Sequence, residues 1–220
     1  MKSTPKPDPS TPSSRLRQSV HSALVQQIVA GELKAGEPVN ESRLAKQLKV
    51  SRTPLREALL QLEQEGFIRS DERRGFSVEG LSAREVREIY PMIWTLEGLA
   101  VRSSAVCVYL LVPELVRINA EFARARQPKR ALALDLEWHQ RLTSQSQNRR
   151  LLETISCLRL GMQRYETIYM ADPRLLPESV AQHNVIINAL KDHDIEAAIK
   201  GLDENWRLGM EVLIRKMGEE

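Results

Sequence analysis

Little in this sequence is available for covalent or metal stapling. Its 220 residues include two cysteines, Cys107 and Cys157. They lie far apart in the chain, form no metal-binding spacing and fit a reducing cytoplasm. Aromatic residues make up 5% of the chain, and β-branched alternation is scarce, so a large sheet is not expected. No run of about 18 apolar residues occurs, which argues against a transmembrane helix. The opening stretch MKSTPKPDPSTPSS has no apolar centre and does not read as a secretory signal. Strong charge of one sign is missing too: 32 Lys and Arg against 29 Asp and Glu leave a net +3. What is present is 42% hydrophobic and 28% charged residues, enough to bury one or two cores without staples. The small positive excess lies wholly in residues 1–80, which hold 13 basic and 10 acidic residues; the remainder is balanced at 19 and 19.

Residues 1–13 are Pro, Ser, Thr and Lys with almost nothing to bury, and read as a disordered leader. From Ser14, the spacing of Leu16, Val20, Leu24, Ile28 and Val29 predicts one buried helix face, closed by Gly31 and Gly36. Asn40 suits the N-cap of a short helix from Glu41 to Leu48, and Thr53 could cap a third, with Leu55, Ala58, Leu59 and Leu62 inward. Phe67-Ile68-Arg69 and Phe76-Ser77-Val78 read as paired strands around a turn ending in Arg74-Gly75. Helix, helix, tight turn, helix and hairpin make a winged helix-turn-helix over residues 14–80. Past Ser82, apolar periodicity runs through Val86, Ile89, Met92, Ile93, Leu96 and Leu99, and further helical segments follow with no visible strand pair. Residues 82–220 are therefore expected to form an all-helical bundle of six or seven helices, and the fold class is mainly α.

The third helix of the first domain carries the chemistry of a DNA reader. Arg52 and Arg56 are one turn apart and share a face. Arginine is suited to bidentate contact with guanine O6 and N7. Ser51 and Thr53 offer hydroxyls and backbone N–H groups to phosphate, and Arg43 on the second helix can reach the backbone. Arg73 and Arg74 beside Gly75 would meet DNA from the wing. The competing interpretation is a solvated basic face.

The stretch VSRTPLREALLQLEQEGFI at 50–68, with IVAGELKAGEPVNESRLAKQLKV at 28–50 and the Arg74-Gly75 turn, resembles the DNA-binding domain of GntR-type bacterial transcription regulators. Where family members often carry an arginine, this chain has Ser42. Leu96-Glu97, DLEWHQRL at 135–142 and QHNVIINALKDHD at 182–194 resemble the FCD effector domain of the FadR subgroup. This resemblance implies a homodimer on a two-fold double-stranded DNA operator, responding to a small organic acid effector.

Asp135 and His139 stand at i and i+4 of one helix and point the same way. The resemblance adds His183 from a later helix, and places Asn205 where many FCD domains have a third histidine. It also places Ile93 where an arginine is common. An Asp and two His suit a divalent metal such as zinc, nickel, manganese or iron, with Asn205 completing or flanking the site. The alternative is a buried polar cluster without metal. Arg159 and Arg164 could face the interior and meet an anionic ligand, or lie on a solvated face. His21 reads as a surface or linker contact and His193 as a turn residue or cap, the two cysteines as small core hydrophobes, and Trp94, Trp138 and Trp206 as members of apolar helix faces.

A ligand-responsive transcription regulator with no enzymatic activity is the function expected. The alternative is a metal-dependent hydrolase centred on Asp135, His139 and His183, which would need a positioned general base or activated nucleophile that the sequence does not offer. The face containing Ile89, Ile93 and Leu96 is the expected dimer contact.

Overall fold

The structure is a computed structural model that describes residues 12–71 and 75–218. It divides between Leu81 and Ser82 into two compact units. The first holds α1 (Pro12–Val29), α2 (Glu41–Leu48), α3 (Arg52–Gln64), β1 (Ile68–Asp71) and β2 (Gly75–Val78). The expected leader lies outside the described residues, apart from its last two positions, which begin α1.

Helix α1 packs on α3 through Val20, Leu24 and Ile28, against Leu55, Ala58, Leu59 and Leu62. Leu16 is not part of that face; it is 44% exposed, and Val25 is buried instead. His21 is also inward, with its Nε2 2.5 Å from Glu65 Oε2, so it ties α1 to the end of α3 and is not a surface contact. Asn40 caps α2, its Oδ1 accepting from Arg43 N–H at 2.9 Å. The turn into α3 passes through Lys49 in the left-handed region, φ 56°. Helix α3 starts two residues before Thr53 could cap it: Ser51 is the N-cap and Thr53 lies in the first turn. Strands β1 and β2 pair antiparallel with Ile68 opposite Val78 and Asp71 opposite Gly75. Gly75 has φ +72°, a conformation a side chain at this tight turn would strain.

The second unit holds α4 (Ala83–Ser103), α5 (Val112–Ala123), α6 (Pro128–Thr143), α7 (Arg149–Met170), α8 (Leu176–Lys191) and α9 (Ile195–Lys216), with a short 3-10 turn at Val108–Leu111. Ser82 caps α4, as its position before a helical run predicts. Helix α4 packs on α9, α9 on α8, α8 on α5 and α5 on α6, while α7 lies against α4 and α6. Helices α8 and α9 approach closely at Gly201: a Cβ there would stand 3.1 Å from Ile186 Cγ1, so that side chain would have to yield by a few tenths of an ångström. On α4, Val86, Tyr90, Ile93, Ala100 and Val101 are core residues, while Met92 and Leu99 are 48% and 49% exposed. Ile93 therefore belongs to its own bundle and not to a dimer face. Trp138 and Trp206 are buried; Cys107 is half-buried and Cys157 exposed, so neither is a core residue. His193 lies in the α8–α9 turn with φ 57° and packs edge-on against Tyr109. No single helix among the described residues is long and apolar enough to cross a membrane.

Candidate functional site

Each unit holds one candidate site. In the first, α3 presents Ser51, Arg52, Thr53 and Arg56 to solvent, because Pro54, Leu55, Ala58 and Leu59 take the opposite face into the core. Arg56 Nε is 3.5 Å from Glu41 Oε2, and Arg52 Nη2 is 3.4 Å from Ser42 Oγ, so the start of α2 orients both guanidinium groups. Arg43 is exposed on α2. Leu60, one turn beyond Arg56, is 50% exposed on the same face, where an apolar side chain can meet a thymine methyl group. The apolar stripe of α3 already excludes Leu60, which is the signal that could have found it. The expected wing contact at Arg74 lies outside the described residues, while Gly75 opens β2.

In the second unit, Asp135 and His139 on α6 meet His183 of α8, all three buried, with one ligand atom from each inside a cluster no wider than 4.8 Å. His139 Nδ1 donates to Glu97 Oε2 at 2.9 Å, so Nε2 is the ring nitrogen left for a ligand. Glu97 also accepts from Trp206 Nε1 at 2.9 Å and Arg159 Nη1 at 3.0 Å. His183 Nδ1 donates to Asn119 Oδ1 at 3.1 Å; the Asn119 amide is fixed by donating to Val180 O and Asn184 Oδ1. His183 Nε2 is buried without a hydrogen-bond partner, 3.5 Å from Asp135 Oδ1. The ring itself is held flat against Trp138, centroids 3.8 Å apart and planes 4° from parallel.

Burial, reinforced by His139 and Arg159, holds the His183 imidazole well below its usual pKa, so the ring is neutral. Burial raises Asp135 against the pull of His139 and Arg159. Burial also works to raise Glu97, but His139 and Arg159 outweigh it and keep that carboxylate below its usual value. Glu166 is pushed up to about 8 by burial, with Arg159 opposing and Asp135 and Glu97 adding. These residues fit a divalent cation. An orphaned, neutral imidazole nitrogen faces a carboxylate, and both histidines are oriented through their far nitrogen, the arrangement metal ligands require. Asn205 lines a cavity of about 40 Å³ together with Asp135 and His139, and its amide nitrogen donates to Gln182 Oε1 at 2.7 Å, leaving its carbonyl oxygen as the other end.

Arg159 and Arg164 both turn inward and are buried. Arg159 binds Glu97 and also lies 3.8 Å from Asp135 and 3.9 Å from Glu166. Arg164 lies apart, 2.9 Å from Glu85 Oε2, which also accepts from the Tyr165 hydroxyl. Sequence reasoning gave Glu97, Asn119 and Glu166 no role. The signal for Glu97 was legible: it falls on the buried stripe Val86, Tyr90, Ile93, Ala100, where an acid needs a partner.

Residues 16–78 match the family model of bacterial regulatory proteins, gntR family, and residues 88–206 match the FCD domain. The chain is 34% identical over 136 residues to the HTH-type transcriptional regulator YdhC of Bacillus subtilis, an alignment that covers 60% of this chain and 61% of that protein. It is 38% identical over 130 residues to the Nta operon transcriptional regulator of Aminobacter aminovorans, covering 58% and 62%. The chain thus spans about three fifths of the length of these relatives. The solved structure of Escherichia coli McbR/YncC superposes with a TM-score of 0.78 at 25% identity, over 92% of this chain and 98% of that one. These names are of regulators, and the hydrolase alternative draws no support from them. The chain belongs to the GntR family of bacterial regulatory proteins, with a GntR helix-turn-helix domain followed by an FCD domain.

Proposed function

We propose that the protein is a ligand-responsive transcription regulator that binds a two-fold DNA operator as a homodimer. The observation that carries this reading is the solvent-facing row of Arg52, Thr53 and Arg56 on the helix-turn-helix. Arginines on a major-groove helix read guanine, and a single small DNA-binding unit gains affinity and length of site by pairing. On α4, Met92 and Leu99, with half-buried Leu96 between them, form the exposed apolar stripe that supports self-association.

Asp135, His139 and His183, with Asn205 alongside, are the residues we assign to a divalent cation in the FCD unit. When bound, the cation supplies a fixed positive charge and an open coordination position. Glu97 and Asn119 hold the two imidazoles in the tautomers that turn Nε2 inward. The effector class the resemblance suggests is a small organic acid. A separate cavity of about 420 Å³ between α6 and α7 is of ligand size, with Leu136, Leu152 and Ile155 offering an apolar wall and Gln140 and Gln163 polar groups. Its lining includes Glu97 and Arg159, and Arg159 also lies 3.8 Å from Asp135 of the cation centre. A coupling of about 1–3 kcal/mol between ligand and DNA is sufficient to change operator occupancy several-fold.

The test is selection from a random pool of duplex DNA by the purified full chain. Recovery of a two-fold sequence whose binding Arg52→Ala weakens supports the reading; recovery of no preferred sequence overturns it.

A further inference from the structure

Three ligating residues leave part of the buried centre without a role. Glu166, on α7, is 5% exposed, and neither of its carboxylate oxygens has a hydrogen-bond partner among the described residues. It lines the same small cavity as Asp135 and His139. Among the described residues its counter-charge is Arg159 Nη2 at 3.9 Å, a group whose neighbour Nη1 already donates to Glu97 at 3.0 Å. Buried on such terms the carboxyl group holds its proton, its pKa pushed up to about 8, unless something else meets its charge.

A count of charge shows what that is. Glu97, Asp135 and Glu166 surround one guanidinium, Arg159. With all three acids ionised and the imidazoles neutral, as ligands must be, the centre carries two negative charges beyond balance. One divalent cation cancels them. The cavity, about 40 Å³, has room for an ion and about one water, which occupies roughly 30 Å³ in the liquid. Glu166 stands outside the tight ligand cluster formed by Asp135, His139 and His183.

We propose that Glu166 belongs to the cation site as the acceptor for the cation's water, and that by supplying the second negative charge it makes this cavity specific for a divalent cation and closed to an organic anion. The proposal rests on the cation assignment above. Removing the charge of Glu166 should weaken the cation and, at the same time, leave a net positive centre that admits an anion.

The experiment uses chelator-treated full-length protein, cobalt(II) as the cation and acetate as the anion. Wild type should bind one equivalent of cobalt, with an absorption spectrum that acetate does not alter. Glu166→Gln should bind cobalt at least about tenfold more weakly, because a neutral amide replaces a charge facing the site, and its cobalt spectrum should respond to acetate. In chelator, Glu166→Gln should melt close to wild type, since burial already keeps Glu166 protonated without the cation; with cobalt added, its gain in melting temperature should be the smaller. A purely structural Glu166 would move both melts the same way. Equal cobalt affinity in the two proteins, or an acetate response in wild type, overturns the proposal. Failure of wild type to bind cobalt at all overturns the cation assignment itself.

Discussion

Glu97 accepts a hydrogen bond from His139 Nδ1 at 2.9 Å, joining α4 to α6 at the centre of the bundle. The same carboxylate holds Trp206 of α9 and Arg159 of α7, so one buried acid ties together four helices. Replacing it should be felt twice. Glu97→Ala leaves Arg159 buried without its main partner and should cost about 3–5 kcal/mol of unfolding free energy. Glu97→Gln, which keeps the shape, should lower divalent-cation affinity about 10- to 100-fold by loosening His139. Denaturant titration and chelator competition measure the two effects; unchanged cation affinity in Glu97→Gln would remove His139 from the ligand set.

Chelation should destabilise the FCD unit. A cation present at about 100 times its dissociation constant contributes about 2.7 kcal/mol, which corresponds to a drop on the order of 5–10 °C in melting temperature when it is withdrawn. His183→Ala should melt at the same temperature with and without chelator. A chelator-independent wild type would leave the cluster as a hydrogen-bonded core.

Arg52→Ala and Arg56→Ala should each cost roughly 1–3 kcal/mol of operator binding and relax base preference. Arg43→Ala should weaken all sequences alike and reduce the salt slope by about one. Fluorescence anisotropy on matched and mutated operators at several salt concentrations separates the two behaviours.

Leu99→Lys should convert a dimer to a 25.1 kDa species in sedimentation, with the helical content of the chain retained. A wild-type chain that sediments at that mass at micromolar concentration would place the stripe of Met92 and Leu99 outside any dimer contact.

Arg164 should behave as a structural residue. Its partners are Glu85 and the α4 start, away from the cation cluster. Arg164→Met should lower stability while leaving cation affinity within a factor of about two, whereas a ligand-binding role would show in effector titrations at unchanged stability.

Much of the first unit was readable from the sequence because its signals are local. Asn40 as a cap, the apolar stripe of α3 and the existence of the hairpin depend on residues within a few positions of each other, though β1 runs on to Asp71 and β2 starts at Gly75, inside the stretch expected to be the turn. The miss at Thr53 has the same scale: Ser51 and Thr53 are both good caps, and the choice between them was made by where the preceding turn, through Lys49, delivers the chain. In the second unit, the helical character and the Asp135–His139 pair were legible, since an i,i+4 spacing is a property of one helix. It could not place Arg159, whose helical face carries both polar and apolar residues; only packing of α7 against α4 and α6 decided that it turns inward to Glu97. Nor could it show that Ile93 is covered while Met92 and Leu99 are not, because all three fit an apolar period and α9 covers only part of that face. The role of Glu166 is the clearest case. By itself it is one acid among many on a helix. Its burial near Asp135 of α6, with Arg159 of its own helix already bound to Glu97 of α4, is what raises its pKa and leaves its charge to be met by something else, because the energy of a buried carboxylate depends on which groups the fold brings near it.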